Sequence, residues 1–256
     1  MPGTQAIRRA ISILKAFNDA RPYWSPGPLA EHLGLSKTTV VRMLLALEEE
    51  GIVARKDDGR FILGPRLIAL GGLAARDVNL RDVAREALEE LSRRIGEAVT
   101  LEVPLLTVPD REPQMLVVDE INGPQILGAR AFIGRSLPLH ATSTGKAVMA
   151  HLPEAELAPL LVAPLTRFTA NTRALPDQVH ADLLSARQAG FAVVEAEFEE
   201  GLIAMAAAIV DSGGRPQGAV SVHWPEFRFE RSKVAEFGAL IRSAASKASE
   251  RLGRGQ

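Results

Sequence analysis

The 256-residue chain contains no cysteine. That excludes disulfides, thiolate-bound zinc and a cysteine nucleophile together, and it agrees with a reducing cytoplasm. Long apolar runs are missing too. The longest, Leu202 to Val210, is far too short to cross a bilayer as a helix, so no membrane segment is expected. The N-terminus has neither an unbroken apolar core nor a small-residue cleavage site. Its apolar residues Ile7, Ala10, Ile11, Leu14 and Phe17 fall at helical spacing, which argues against a signal peptide. There is no charge excess, since the formal net charge is −1 and no global basic field announces nucleic acid. No internal repeat and no low-complexity segment is found. What is present is an ordinary globular composition, 46% hydrophobic and 24% charged, at a length that suits two domains of unequal size.

The charges are unevenly placed. Residues 1–64 hold nine Lys/Arg against seven Asp/Glu, so the remainder is net acidic. Three short helices are expected in this basic segment. The first covers about Thr4 to Asn18, and a Pro/Gly-rich turn follows from Arg21 to Gly27. Ser25-Pro26 supplies an N-cap and first position for the second helix, which Gly34 ends. Ser36 caps the third, Lys37 to Glu50. There Val40, Met43, Leu44 and Leu47 form an inward stripe, while Lys37, Thr38, Thr39 and Arg42 occupy the first turns of another face. Hydroxyl and basic side chains at the start of a helix suit a major-groove reader, and the order helix, tight turn, helix is that of a helix-turn-helix. Residues 51–55 and 59–63 read as two strands around the turn Lys56-Asp57-Asp58-Gly59. That makes a wing, with Lys56 and Arg60 placed for phosphate or minor-groove contact.

A helix is expected over Leu67 to Val78 and another over Leu80 to Ile95. Strand-like runs then sit at Val99–Leu106, Met115–Ile121, Ile126–Phe132, Phe191–Glu195, Ile203–Val210 and Ala219–Trp224. Helical patterns lie at Thr144–Leu152, Glu154–Leu161, Pro176–Ala189 and Arg231–Leu252. This alternation predicts an α/β domain with a largely antiparallel sheet.

Within it, Leu137–Leu152 reads LPLHATSTGKAVMAHL and admits three readings. A phosphate-binding P-loop fails at two required positions, because His140 stands where the first glycine belongs and Ala147 follows Lys146. A nucleophile elbow fails where Ala141 replaces glycine, although an acyl hydrolase built on Ser143 and His223 is the rival it leaves. The third reading is a helix start, at which Thr142, Ser143, Thr144 and Gly145 offer free amides and close approach to a small anion. Neither His140 nor His223 lies in a metal-ligand spacing, so no metal and no cofactor is expected. His140 reads as a hydrogen-bonded core residue, and the acidic run Glu195–Glu200 as a solvated loop, or as an acidic rim over the anion site if it folds inward.

The block from Gly134 to Ala147, then Gly190-Phe191-Ala192-Val193 with Glu197-Phe198-Glu199-Glu200-Gly201, resembles the effector domain of isocitrate lyase regulator (IclR) type transcription factors. Leu35-Ser36-Lys37-Thr38-Thr39-Val40-Val41-Arg42 is similar to that family's DNA-reading helix. The resemblance implies an α+β fold: a winged helix-turn-helix domain (1–64), a linker helix (65–79) and a GAF-like α/β effector-binding domain (80–256). It also implies a cytoplasmic repressor or activator, a homodimer or dimer of dimers, that binds double-stranded operator DNA and answers to a small organic acid. The effector contacts carried over are Ile126, Ala129, Leu137, Ser143, Thr144, Leu202, Ala204, Ser221 and His223. Two positions depart from members that bind very small oxo-acids: Val194 stands in place of an aspartate, and Ser221-Val222-His223-Trp224-Pro225 in place of a Ser-x-Ser-Gly-Pro strand. An imidazole and an adjacent indole predict a larger or more apolar acid, such as an aromatic one.

Overall fold

The computed structural model describes residues 2–18, 21–76, 80–106, 113–124, 133–162 and 164–254. The chain divides into two units, Met1–Val78 and Asn79–Gln256. In the first, helices α1 (Pro2–Ala16), α2 (Pro26–Leu33) and α3 (Lys37–Glu49) enclose a core of Ile13, Trp24, Leu29, Val40, Leu44 and Phe61. Gly34 adopts φ +62°, a left-handed conformation glycine takes without Cβ strain, and so turns the chain from α2 into α3. Ser36 then caps α3 by accepting the Thr39 amide at 3.2 Å. Strands β1 (Val53–Arg55) and β2 (Phe61–Leu63) pair antiparallel and are shorter than the sequence implies. The reason is local: Gly51 and Ile52 donate to the Glu48 and Leu47 carbonyls and close the end of α3 instead of extending the strand. The turn before α2 also does more than turn. Trp24 exchanges backbone hydrogen bonds of 3.0 and 2.8 Å with Phe61, and its indole donates to the Ala16 carbonyl. Helix α4 (Arg66–Arg76) is counted with this unit.

The second unit opens with α5 (Leu80–Ile95) and is built on strands β3 (Ala98–Leu105), β4 (Gln114–Ile121), β5 (Ser136–Pro138), β6 (Ala192–Glu195), β7 (Leu202–Val210) and β8 (Pro216–Pro225). They form one sheet in the order β5-β4-β3-β8-β7-β6, with every pairing antiparallel. Helix α5 packs with the C-terminal α9 (Val234–Arg254), and both lie on the sheet; α6 (Ser143–Met149) and α8 (Pro176–Ala189), with the single-turn α7 (Glu154–Leu157) between them in the chain, pack together and cover it as well. Side chains alternate along β8, so Trp224 meets Phe229 and Phe237 beside α9, whereas Ser221 points to the α6 side. The small side chains Ala204 and Ala206 on β7 let α6 lie close, and all seven α6 residues are buried. The helix is shorter than the expected Thr144–Leu152 because His151 and Leu152 bond back to Val148 and Met149 in a tight last turn ahead of Pro153. Strand β5 lies inside the motif and was not expected from alternation. The expected strand Ile126–Phe132 falls outside the described residues, as do Ile126 and Ala129.

Candidate functional site

On the first unit, Lys37, Thr38 and Arg42 are exposed along the start of α3, and Thr39 is half-buried with its hydroxyl 2.8 Å from that of Ser36. The capping serine therefore occupies Thr39 and leaves three side chains presented outward. At the wing, Arg60 is tied to Asp58 by guanidinium bonds of 2.9 and 2.7 Å, and its charge arrives partly neutralised. Lys56 and Arg60 both lie over the Tyr23 ring, 4.8 and 4.7 Å from its centroid. Tyr23 was missed in the sequence because it sits in the turn before α2, far from the wing that it braces.

On the second unit, the start of α6 faces a cavity of about 550 Å³, counting its open mouth. Of the residues expected at an effector site, Leu137, Ser143, Thr144, Leu202, Ala204 and His223 line it together. Ser221 is fully buried behind them: Ser143 donates to it at 3.1 Å, and it donates to the Met205 carbonyl at 3.1 Å. Trp224 turns to the opposite face, so the expected indole is not in the cavity; Phe198 supplies an aromatic wall instead. Val194 lines the cavity as an apolar residue. Four charged lining residues were not among the expected effector contacts: Glu102, Arg135, Glu197 and Glu199. The readable signal for Glu102 was a lone carboxyl inside the apolar run Val99 to Leu106.

Glu102 is fully buried. Thr100 donates to its Oε1 at 3.0 Å and Thr144 to its Oε2 at 2.5 Å. With its one proton directed at Glu102, Thr100 accepts from His223 Nε2 at 3.1 Å, which assigns the Nε2–H tautomer. Burial pushes the Glu102 carboxyl up to about 7, against the opposing pull of the two threonine bonds and the Arg135 charge. Burial likewise pushes His223 down to about 4, with Glu199 opposing and Arg135 adding to the effect. At the other side of the cavity Arg135 bonds Glu199 and lies 5.5 Å from the Phe198 ring. Ser143 and His223 are thus each bonded elsewhere and form no nucleophile–base pair.

At the helix start one of the amides is already taken. The Thr142 hydroxyl accepts the Gly145 amide at 3.2 Å and donates to the Pro138 carbonyl at 2.7 Å, so α6 caps itself. Lys146 reaches no phosphate; its ammonium is completely buried and bonds Asp182 at 2.6 Å and Glu197 at 2.5 Å. The acidic run is therefore only in part a solvated loop, with Glu195 and Glu200 exposed. Glu197 is buried under it, also accepting the Arg173 amide, and Glu199 faces the cavity. His140 is buried and donates from Nε2 to the Thr166 carbonyl at 2.8 Å, as a core histidine does.

Glu102 and His223 give opposite pH slopes. A carboxyl raised from 4.5 to about 7 contributes stability that is complete below pH 4.5 and lost as pH rises through 7. A histidine lowered from 6.5 to about 4 contributes stability that is complete above pH 6.5 and lost as pH falls through 4. Glu102→Gln keeps the shape and deletes the first slope alone. Between pH 4.5 and about 7.5, the variant should gain about 3 kcal/mol relative to wild type, at roughly 1.4 kcal/mol per unit. Urea titrations at both pH values measure this, and a constant difference would show that Glu102 titrates normally.

Comparison with known proteins places both units. Residues 6–57 match the IclR helix-turn-helix domain, and residues 73–250 match the family described as bacterial transcriptional regulator IclR C-terminal. The HTH-type transcriptional regulator XynR of Escherichia coli (strain K12) is 31% identical over 255 residues, covering 99% of each chain. The crystal structure of the Thermotoga maritima IclR is 28% identical with a TM-score of 0.75, covering 98% of this chain and 99% of that one. An IclR homolog from Microbacterium hydrocarbonoxydans, crystallised with 4-hydroxybenzoate, has the same fold at a TM-score of 0.83 and 24% identity, covering 98% of this chain and 100% of that one. These relatives are regulators rather than enzymes, and no helix among the described residues is long and apolar enough to cross a membrane. A winged helix-turn-helix followed by a curled-sheet effector unit, matched along nearly its whole length, makes this chain a member of the IclR family of DNA-binding transcriptional regulators.

Proposed function

We propose that the chain is a cytoplasmic, homodimeric or dimer-of-dimers regulator that senses a small organic acid in the cavity at the start of α6. The observation that supports this best is the cavity itself: apolar walls, one arginine at its rim, and six residues expected at an effector site brought together around it. The acid group would meet Arg135 at the rim, with Thr142 already taking the Gly145 amide, one of those at the start of α6. The 4-hydroxybenzoate bound by the Microbacterium homolog is in keeping with an aromatic acid. Ile126, Ala129 and Ser221 complete the proposed effector set. Helix α4 would carry the response, as the linker between a DNA-binding part at 1–64 and an effector part at 80–256. A ligand shifts such an equilibrium only by its differential affinity for the two states.

For DNA, Lys37, Thr38, Thr39 and Arg42 would read the major groove of a pseudo-palindrome, with Lys56 and Arg60 on phosphate or in the minor groove. Arg42 is exposed in the second turn of α3 and has no side-chain partner among the described residues. Arg42→Ala is expected to weaken operator binding about 10- to 100-fold and relax the sequence preference, as loss of a bidentate base contact does. Quantitative gel shifts on genomic fragments selected with wild-type protein measure this. An unchanged affinity would sink the assignment of α3 as the reading helix.

A further inference from the structure

The rim and the base of the cavity carry different chemistry. Arg135 and Glu199 sit at the partly exposed rim, and Glu102, Thr144 and His223 at the buried base. Burying a carboxyl away from water is costly unless it is paired with a cation, and among the described residues Glu102 has no ion-pair partner. Its two bonds come from neutral hydroxyls. Each carboxyl oxygen has two acceptor sites, and among the described residues only one on each is used. Packing would be served better by leucine or valine at this position, whose strand neighbours Leu101 and Val103 are apolar. Glu102 is also one of the residues that line the cavity at the start of α6.

A carboxylate is better placed at the rim than at the base. At the base its negative charge would meet the carboxyl of Glu102, whereas at the rim it would meet the Arg135 guanidinium, beside which Glu199 lies part-exposed. An ammonium group at the base would have to be stripped of water to reach Glu102. A hydroxyl carries one proton and two lone pairs, so it donates to Glu102 when that group is ionised and accepts from it when it is protonated. We infer that Glu102 is a specificity-determining residue, and that the effector carries a hydroxyl at the end opposite its acid group, the acid meeting Arg135 and the hydroxyl meeting Glu102. This rests on the reading of the cavity as an acid-effector site. A site built to hydrogen-bond a hydroxyl rejects the analogue that lacks it, because the buried acceptor is then left without a partner.

Isothermal titration of the full chain with matched pairs tests this: benzoate against 4-hydroxybenzoate, and hexanoate against 6-hydroxyhexanoate, with 4-(aminomethyl)benzoate as the ammonium arm. In wild type at least one hydroxy acid should bind roughly tenfold or more tightly than its partner, and more tightly than the ammonium acid. In Glu102→Leu the ratio within that pair should fall to about 1, and the isosteric Glu102→Gln, which keeps an acceptor oxygen, should give an intermediate ratio. A ratio near 1 in wild type, a ratio that survives Glu102→Leu, or preference for the ammonium acid would each overturn the role of Glu102 while leaving the acid-site reading intact. If Glu102→Leu does not fold, an unchanged ratio in Glu102→Gln overturns it as well. Failure of all five probes to bind wild type would overturn the acid-site reading and this inference together.

Discussion

Gly145→Ala is expected to destabilise the C-terminal unit by about 3 kcal/mol or more, at the severe end for overpacking. In an ordinary helix the same change stabilises by roughly 1 kcal/mol, so even the sign is diagnostic. Here a Cβ on Gly145 would lie 2.1 Å from the Leu139 carbonyl oxygen and 2.4 Å from the Leu139 Cα. Both are backbone atoms of the segment leading out of β5, and neither can rotate aside. Relief would need α6 to lift from the chain that precedes it, and with it Thr144 from Glu102 and Ser143 from Ser221. The two tryptophans lie one in each unit, Trp24 and Trp224. Urea unfolding of the variant in a Trp24→Phe background would follow the second unit alone. Equal or greater stability would show that the close approach at Leu139 is not required.

Lys146→Met should be comparably damaging, at about 3–5 kcal/mol, the range for removing one partner of a buried ion pair. The ammonium is completely buried and satisfies Glu197 and Asp182 at once. Methionine fills most of the volume but leaves the Glu197 carboxylate, itself almost inaccessible, with only the Arg173 amide. Asp182 is better placed, being part-exposed and within 3.8 Å of Arg173. The double variant Lys146→Met/Glu197→Met should therefore recover a large part of the loss, because no uncompensated charge stays buried. Additive losses in the two single variants and the double would contradict a paired site. Loosening Glu197 would also free the segment that presents Phe198 and Glu199 to the cavity, so effector affinity should fall with stability in the single variant.

Both residues belong to the stretch LPLHATSTGKAVMAHL, and its glycine and lysine are what made it resemble a phosphate loop. Gly145 is needed for the close contact with Leu139, and Lys146 is bonded to two carboxylates from distant segments. The stretch lines the cavity through Leu137 and Ala141 to Thr144, with the hydroxyls of Ser143 and Thr144 already engaged by β8 and β3.

Local features were legible without coordinates. The caps at Ser36 and Gly34, the inward stripe of α3, the bounds of α5 and α8 and the apolar runs of β3, β4 and β8 each depend on a few neighbouring residues. So does the start of the recognition helix, where residue type and exposure follow from a single helical period. The chemistry of the cavity depends on pairs far apart in the chain: Thr144 reaches Glu102 across 42 positions, Lys146 reaches Glu197 across 51, and His223 reaches Thr100 across 123. No period links such pairs, and a glutamate in a strand reads as an edge or a surface position until the sheet order is known. The order of amino acids determined the elements, their inward faces and the family. Only the tertiary structure decided that a buried carboxyl would stand at the base of the cavity and an arginine at its rim, because burial and charge pairing are properties of the assembled sheet and helices.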